Sequence, residues 1–280
     1  MSGADRPPRR FPLQMDHWRP AVSGRGRVDA VPARDTLLRP QRQVASAHAD
    51  THRKAAPAGL GLDSADVRRR MTDRLRAGGI ASEPLLAAFA LIPRHRFVDP
   101  ALVTQAYEDT SLPIGHGQTI SKPSVVARML ELLLDGVNAR AQGHLGSVLE
   151  IGTGCGYQAA LLGELGRRVV SVERLKPLHD KARALLEPMR SSRLRLVYGD
   201  GMLGHGPGAP YDSIVAAAGG AAIPEPWLAQ LAVGGRLVSP IEQGERGQAL
   251  MVVDRGEDGY RRSLFEGVRF VPLKSGLGDR

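Results

Sequence analysis

The stretch from Ser147 to Gln158, S-V-L-E-I-G-T-G-C-G-Y-Q, constrains the fold of this 280-residue chain more than any other. A short apolar run (Val148, Leu149, Ile151) stops at Gly152-Thr153-Gly154-Cys155-Gly156. A helix-capable run, Gln158 to Leu165, follows at once. The pattern predicts a strand, a glycine turn and a helix. Glycines at alternate positions let the backbone turn tightly and leave the loop bare, so a ligand can lie against main-chain N–H groups at the helix N-terminus.

The spacing narrows the ligand. A dinucleotide fingerprint, G-x-G-x-x-G, needs its third glycine where this chain has Tyr157, so the motif here is G-x-G-x-G. Glu150, just before the loop, would repel a pyrophosphate and suit a ligand carrying an ammonium group. A second strand, Val169 to Val172, ends in Glu173, 21 residues after Gly152, where a carboxylate can accept both hydroxyls of an unphosphorylated ribose. A third, Leu194 to Tyr198, ends in Gly199-Asp200-Gly201, which can set a carboxylate beside an adenine amino group. The glycine loop, Glu173 and Asp200 fall at three successive strand ends, which predicts an adenosine site. S-adenosylmethionine, with its ammonium group, fits it.

The rest of the chain is organised around this unit. Residues 1 to 62 are rich in Pro, Arg, Ala and Gly without sustained periodicity, and are expected to be a disordered basic extension. The folded domain is expected over residues 63 to 280. Val67, Met71 and Leu75 predict an amphipathic helix ending at Gly78-Gly79, and Glu83 to Ile92, with Pro84 in its first turn, predicts a second. Tyr107 to Pro123 reads as a long aperiodic loop of the kind that carries function. Ser124 to Leu134 is helical by spacing, with Ser121 or Ser124 as possible caps, and Asp135 to Gly146 reads as a linker. After Asp200 come a strand over Tyr211 to Ala217, a short helix over Pro224 to Leu231 with core residues Trp227 and Leu228, and a fifth strand after Gly234-Gly235. Alternating strands and helices imply an α/β, doubly wound sheet. Ala249 to Asp254, Tyr260 to Phe265 and Val268 to Pro272 are expected as antiparallel strands at its edge.

Charge and composition exclude other classes. The net charge of +9 suggests nucleic acid, but residues 1 to 60 hold 11 Lys and Arg against five Asp, leaving 27 against 24 in the remainder. No aromatic-basic interleaving supports base stacking, so nucleic-acid binding is not expected. No apolar run is long enough to span a bilayer, and the basic, proline-rich start lacks the apolar core of a secretory signal. The single cysteine, Cys155, fits a reducing cytoplasm and reads as a small loop residue rather than a nucleophile. The eight histidines show no metal-ligand spacing, so no metal is expected. His95 and His116 read as loop histidines making backbone contacts.

From about Val67 to Leu273 the chain resembles the protein-L-isoaspartate O-methyltransferase family. The resemblance is carried by Pro93-Arg94-His95-Arg96-Phe97-Val98, by Gly117-Gln118-Thr119-Ile120-Ser121-Lys122-Pro123, by Leu149 to Gln158, by Gly199-Asp200-Gly201, and by Val268-Arg269-Phe270-Val271-Pro272-Leu273. It implies a Rossmann-like class I methyltransferase sheet with added N-terminal helices. It also implies methyl transfer from S-adenosylmethionine to the α-carboxylate of L-isoaspartyl residues in damaged proteins and peptides. Carried to matching positions, Ser121 is the catalytic serine, and Glu150, Gly152, Gly154, Gly156, Glu173, Asp200 and Gly201 are the donor contacts. A monomer is expected.

The chain departs from the family pattern in two places. Ala216 to Pro224 is more Gly/Ala-rich than usual, and Ser239 replaces an aliphatic residue. The first departure bears on substrate preference. Two other readings stand beside this one: a methyltransferase acting on RNA or a small molecule, and an adenosine-binding module or nucleotide-binding oxidoreductase.

Overall fold

The computed structural model describes residues 65–189 and 191–278; the expected extension over residues 1 to 62 lies outside them. Helix α1 (Ala65–Ala77) buries Met71, Thr72 and Leu75 on one face. Helix α2 (Glu83–Leu91) starts at Ser82, whose side chain accepts from the Leu85 amide, with Pro84 in the first turn.

After two short 3-10 turns, the region expected to be an aperiodic loop contains a hairpin, β1 (Leu112–Gly115) and β2 (Gln118–Ile120), paired antiparallel. Leu112, Ile114 and Ile120 are buried, but strands of four and three residues are too short for that alternation to stand out in sequence. Three consecutive left-handed residues, Gly115, His116 and Gly117, make the reversal.

Helix α3 (Pro123–Leu134) is capped by neither Ser121 nor Ser124. Instead Asp109, 15 residues before Ser124, accepts the Ser124 amide on Oδ1 and the Ser124 hydroxyl on Oδ2, both at 2.8 Å. The expected linker contains a further helix, α4 (Val137–Gln142), closed by Gly143 at φ 72°.

The remaining elements form one sheet: β3 (Ser147–Ile151), α5 (Tyr157–Leu165), β4 (Arg168–Glu173), α6 (Lys176–Leu186), β5 (Leu194–Tyr198), β6 (Tyr211–Ala216), α7 (Glu225–Gln230), β7 (Leu231–Glu242), β8 (Gln248–Arg255) and β9 (Tyr260–Val268). The strand order is β5-β4-β3-β6-β7-β8-β9. Strands β5 to β7 pair in parallel, whereas β8 and β9 are antiparallel, as expected for the C-terminal strands. Every residue of β3 is buried, as a central parallel strand requires. Its side chains alternate between two cores: Val148 packs in the one that includes α1 to α6, and Leu149 and Ile151 in the one with Trp227 of α7.

The chain winds from β3 through β4 to β5 on one side, then returns to the other side of β3 for β6. That reversal opens a crevice at the carboxyl ends of β3 and β6, the usual ligand position in open α/β sheets. The strand expected over Val268–Pro272 is absent: Val268 ends β9, and Pro272 makes an isolated bridge to Gly219. The chain then crosses the strand ends as a strap, and Gly278 bridges to Leu175. Among the described residues no helix is long and apolar enough to cross a membrane.

Candidate active site

The glycine loop follows β3 as the sequence predicts. Gly152, Gly154 and Gly156 all have positive φ (90°, 56° and 91°), a conformation that side chains with a Cβ resist. Gly156 ends the loop at the start of α5 and packs so tightly on α6 that a Cβ would lie 2.8 Å from Leu186 Cδ1. At Gly154 a Cβ would meet Ile114 Cδ1 at 3.3 Å, so the hairpin rests against the loop.

Glu173, ending β4, fixes that loop. Its Oε2 accepts the Gly154 amide and its Oε1 the Leu175 amide, each at 2.9 Å. Each carboxylate oxygen keeps further lone-pair capacity for a ligand hydroxyl.

A cavity of about 250 Å³ occupies the crevice. Its walls bring together Ser121 and the hairpin, Gly152 to Cys155, Glu173 to Leu175, Gly201, Ala217 and Ala218 at the end of β6, and Val271 to Lys274 of the strap. Thus Ser121, Gly152, Gly154, Glu173 and Gly201 face one space. Gly201 must lack a side chain, since a Cβ would stand 2.6 Å from Ile151 Cγ2, and its carbonyl accepts the Trp227 indole N–H at 2.8 Å.

Three other predicted positions fall outside that lining. Gly156 shapes the helix start. Asp200 lies beside Gly201, where Oδ1 accepts the Met202 amide at 2.9 Å and Oδ2 the Gly276 amide of the strap at 2.6 Å. Glu150 departs furthest from expectation: instead of pointing into the cavity it is fully buried beneath the loop. Its Oε2 accepts from Ser171 Oγ at 2.5 Å, and Ser171 Oγ lies 2.5 Å from Thr153 Oγ1. Burial pushes the Glu150 carboxyl up to about 8, against the opposing pull of the Ser171 hydrogen bond. With Glu150 ionised, the Ser171 proton goes to it and Thr153 donates to Ser171, so the chain of hydroxyls ties the glycine loop to the two central strands.

Burial pushes the Cys155 thiol up to about 11, which suits a packing residue and not a nucleophile. The neighbouring Tyr157 is buried among Phe89, Phe97 and Arg94, whose guanidinium lies 4.9 Å from the ring centroid. Arg94 is itself fully buried, and its Nε donates to the Ala106 carbonyl at 2.7 Å. Nothing in the spacing of Arg94 announced this role. His95 contacts the Tyr107 hydroxyl at 2.7 Å, and His116 lines the cavity. Among the described residues no group of three or more His, Cys, Asp and Glu is placed to hold a metal.

The family model for protein-L-isoaspartate(D-aspartate) O-methyltransferase matches residues 66–278. The chain belongs to the protein-L-isoaspartate(D-aspartate) O-methyltransferase family. As a member of this isoaspartate methyltransferase family it is an enzyme that uses S-adenosylmethionine to methylate L-isoaspartyl residues of proteins, the opening step of their repair. It is 58% identical to the protein-L-isoaspartate O-methyltransferase of Methylibium petroleiphilum over 278 residues, 99% of each chain. It is 56% identical to that of Leptothrix cholodnii, over 98% of this chain and 97% of the other. Both matches run through the segment before residue 63. A solved protein-L-isoaspartate O-methyltransferase is 28% identical with a TM-score of 0.66, over 75% of this chain and 67% of that one.

The Gly/Ala-rich departure from the isoaspartate methyltransferase pattern has a local cause. Gly219 donates to the Val271 carbonyl at 2.9 Å and accepts from the Leu273 amide at 2.7 Å, and a Cβ there would strike Gln248. Small residues let the strap dock. Ser239 is buried in β7, its hydroxyl on the Pro240 carbonyl.

Proposed function

We propose a division of labour among these residues. The donor lies across the carboxyl ends of β3, β4 and β5, with its methionine part over Gly152 to Gly154, its ribose on Glu173 and its adenine beside Asp200 and Gly201. Glu150 acts from beneath, bracing the loop through Ser171 and Thr153 without touching the donor directly. Ser121, on the hairpin side of the same cavity, hydrogen-bonds and aims the acceptor carboxylate. The observation that carries this reading is one cavity walled by both the Ser121 hairpin and the glycine loop, with Ile114 against Gly154.

The transfer needs alignment more than acid or base. A carboxylate with an ordinary pKa near 4 is already ionised at neutral pH. Its oxygen attacks the methyl carbon, the carbon–sulfur bond breaks, and the electron pair neutralises the sulfonium, giving a methyl ester and a thioether with no proton moved. Holding the reactants in line is worth on the order of 7–11 kcal/mol in favourable cases. Ser121 offers the acceptor a hydrogen bond as it loses water. The ester then closes to a succinimide by attack of the following backbone nitrogen with loss of methanol, and hydrolysis returns part of it as normal aspartate.

All these groups come from one chain, which supports action as a monomer; sedimentation at assay concentration checks it. The lone cysteine is in keeping with a reducing, cytoplasmic compartment. The deciding test is transfer of labelled methyl to paired peptides with L-isoaspartate or L-aspartate at one position. Base-labile label on the isoaspartyl peptide alone is expected; equal labelling of both would overturn the acceptor assignment.

A further inference from the structure

We propose that Lys274 is a substrate-recognition residue whose ammonium, carried above the glycine loop on a pinned strap, pairs with a carboxylate in the cavity. The inference rests on the site assignment above and deepens it. The strap is held at both ends. On the β6 side, Leu273 and Val271 bond to Gly219 at 2.7 and 2.9 Å. On the β4 side, the Gly276 amide donates to Asp200 at 2.6 Å, Arg174 Nε donates to the Gly276 carbonyl at 2.8 Å, and the Gly278 amide donates to the Arg174 carbonyl at 2.8 Å. Strand β3, with its glycine loop, lies between β6 and β4, so the strap crosses above that loop.

Lys274 lines the cavity and, among the described residues, makes no hydrogen bond or ion pair. The other charges there are committed. Glu173 accepts two amides, and Arg174 holds the strap through the Gly276 and Ser275 carbonyls. A cation fixed by its backbone at a cavity wall, with no acid among the described residues paired to it, matches an anionic group of a ligand. Both reactants bring a carboxylate: the isoaspartyl acceptor at its reacting end, and the donor on its methionine part. Either loses hydration on entering, a cost that a nearby ammonium offsets. A long flexible lysine follows the group more readily than a fixed fork.

The test compares wild type with Lys274→Met and Lys274→Arg. It measures KM and kcat for an isoaspartyl peptide, and the affinities of S-adenosylhomocysteine and of methylthioadenosine, which lacks the amino-acid part. If the acceptor is the partner, Lys274→Met raises the peptide KM about five- to tenfold, the scale of one ordinary net hydrogen bond, with nucleoside affinities unchanged. If the donor is the partner, S-adenosylhomocysteine weakens by that factor while methylthioadenosine does not. In either case Lys274→Arg restores most of the loss. Unchanged KM and affinities in an active Lys274→Met enzyme would overturn the proposal and leave the site assignment standing. A wild-type enzyme that labels no isoaspartyl peptide would sink both.

Discussion

Glu173 Oε2 accepts the amide of Gly154 at 2.9 Å, so the acid ending one strand holds the glycine loop that follows its neighbour. The same carboxylate shapes the loop and lines the cavity, where the proposed reading sets the donor ribose on it. Glu173→Ala is therefore expected to weaken S-adenosylhomocysteine binding by more than tenfold. It should also cost about 1–3 kcal/mol of stability, because two amides lose their acceptor. Calorimetric titration and thermal melting, read together, check the pair. A binding loss with an unchanged melting temperature would assign Glu173 to the ligand alone.

Ser121 faces the cavity and does not cap α3, so its removal should leave the scaffold intact. Ser121→Ala is expected to lower kcat by about 10- to 100-fold with donor affinity unchanged, as for a group that acts on alignment in the transition state. Steady-state kinetics and donor titration separate the two. A parallel loss of donor affinity would contradict the assignment.

Glu150 gives the protein a pH dependence of definite sign. Its folded carboxyl titrates at about 8 against an ordinary 4.5. Between those values the folded state keeps a proton that the unfolded chain has lost. The stability from this group is thus full below about 4.5 and declines as pH rises to about 8. Glu150→Gln, which cannot ionise, should flatten that part of the profile. Melting temperatures of the two proteins across this range should converge towards the acid end and separate towards the alkaline end.

Asp109 caps α3 from the far side of the hairpin. Asp109→Ala is expected to cost about 1 kcal/mol of stability, the usual worth of an N-cap. It should also reduce kcat, because Ser121 lies between the capped helix and the hairpin. Asp109→Asn retains one acceptor and should fall between. Chemical denaturation and kinetics on the three proteins check the order.

The central sheet was legible because its signals are local. Val148, Leu149 and Ile151 mark a buried strand that stops at glycine, and Glu173 and Asp200 fall at strand ends by spacing alone. The acids' detailed roles were less legible. Glu150 looks the same in sequence whether it points into the crevice or beneath it, and the hydroxyl that meets it, Ser171, belongs to the neighbouring strand. Asp109 and Arg94 were missed for a similar reason. One caps a helix from 15 residues before Ser124, and the other is buried by a packing arrangement with no period to reveal it. The apolar run from Val268 to Pro272 predicts a strand where the structure has a strap. Its bridge to Gly219 depends on a docking surface built about 50 residues earlier.

The latch from Asp109 to Ser124 also bears on how this enzyme can change. It joins the two ends of a segment that contains the whole cavity-lining hairpin, and it does so with a side chain that contributes nothing to the hairpin's own sequence. Substitutions at the exposed hairpin positions between the two latched residues would leave that base unchanged. Acceptor preference can then drift, or be engineered, at those positions while Ser121 and the buried Ile114, which rests on the glycine loop, stay as they are.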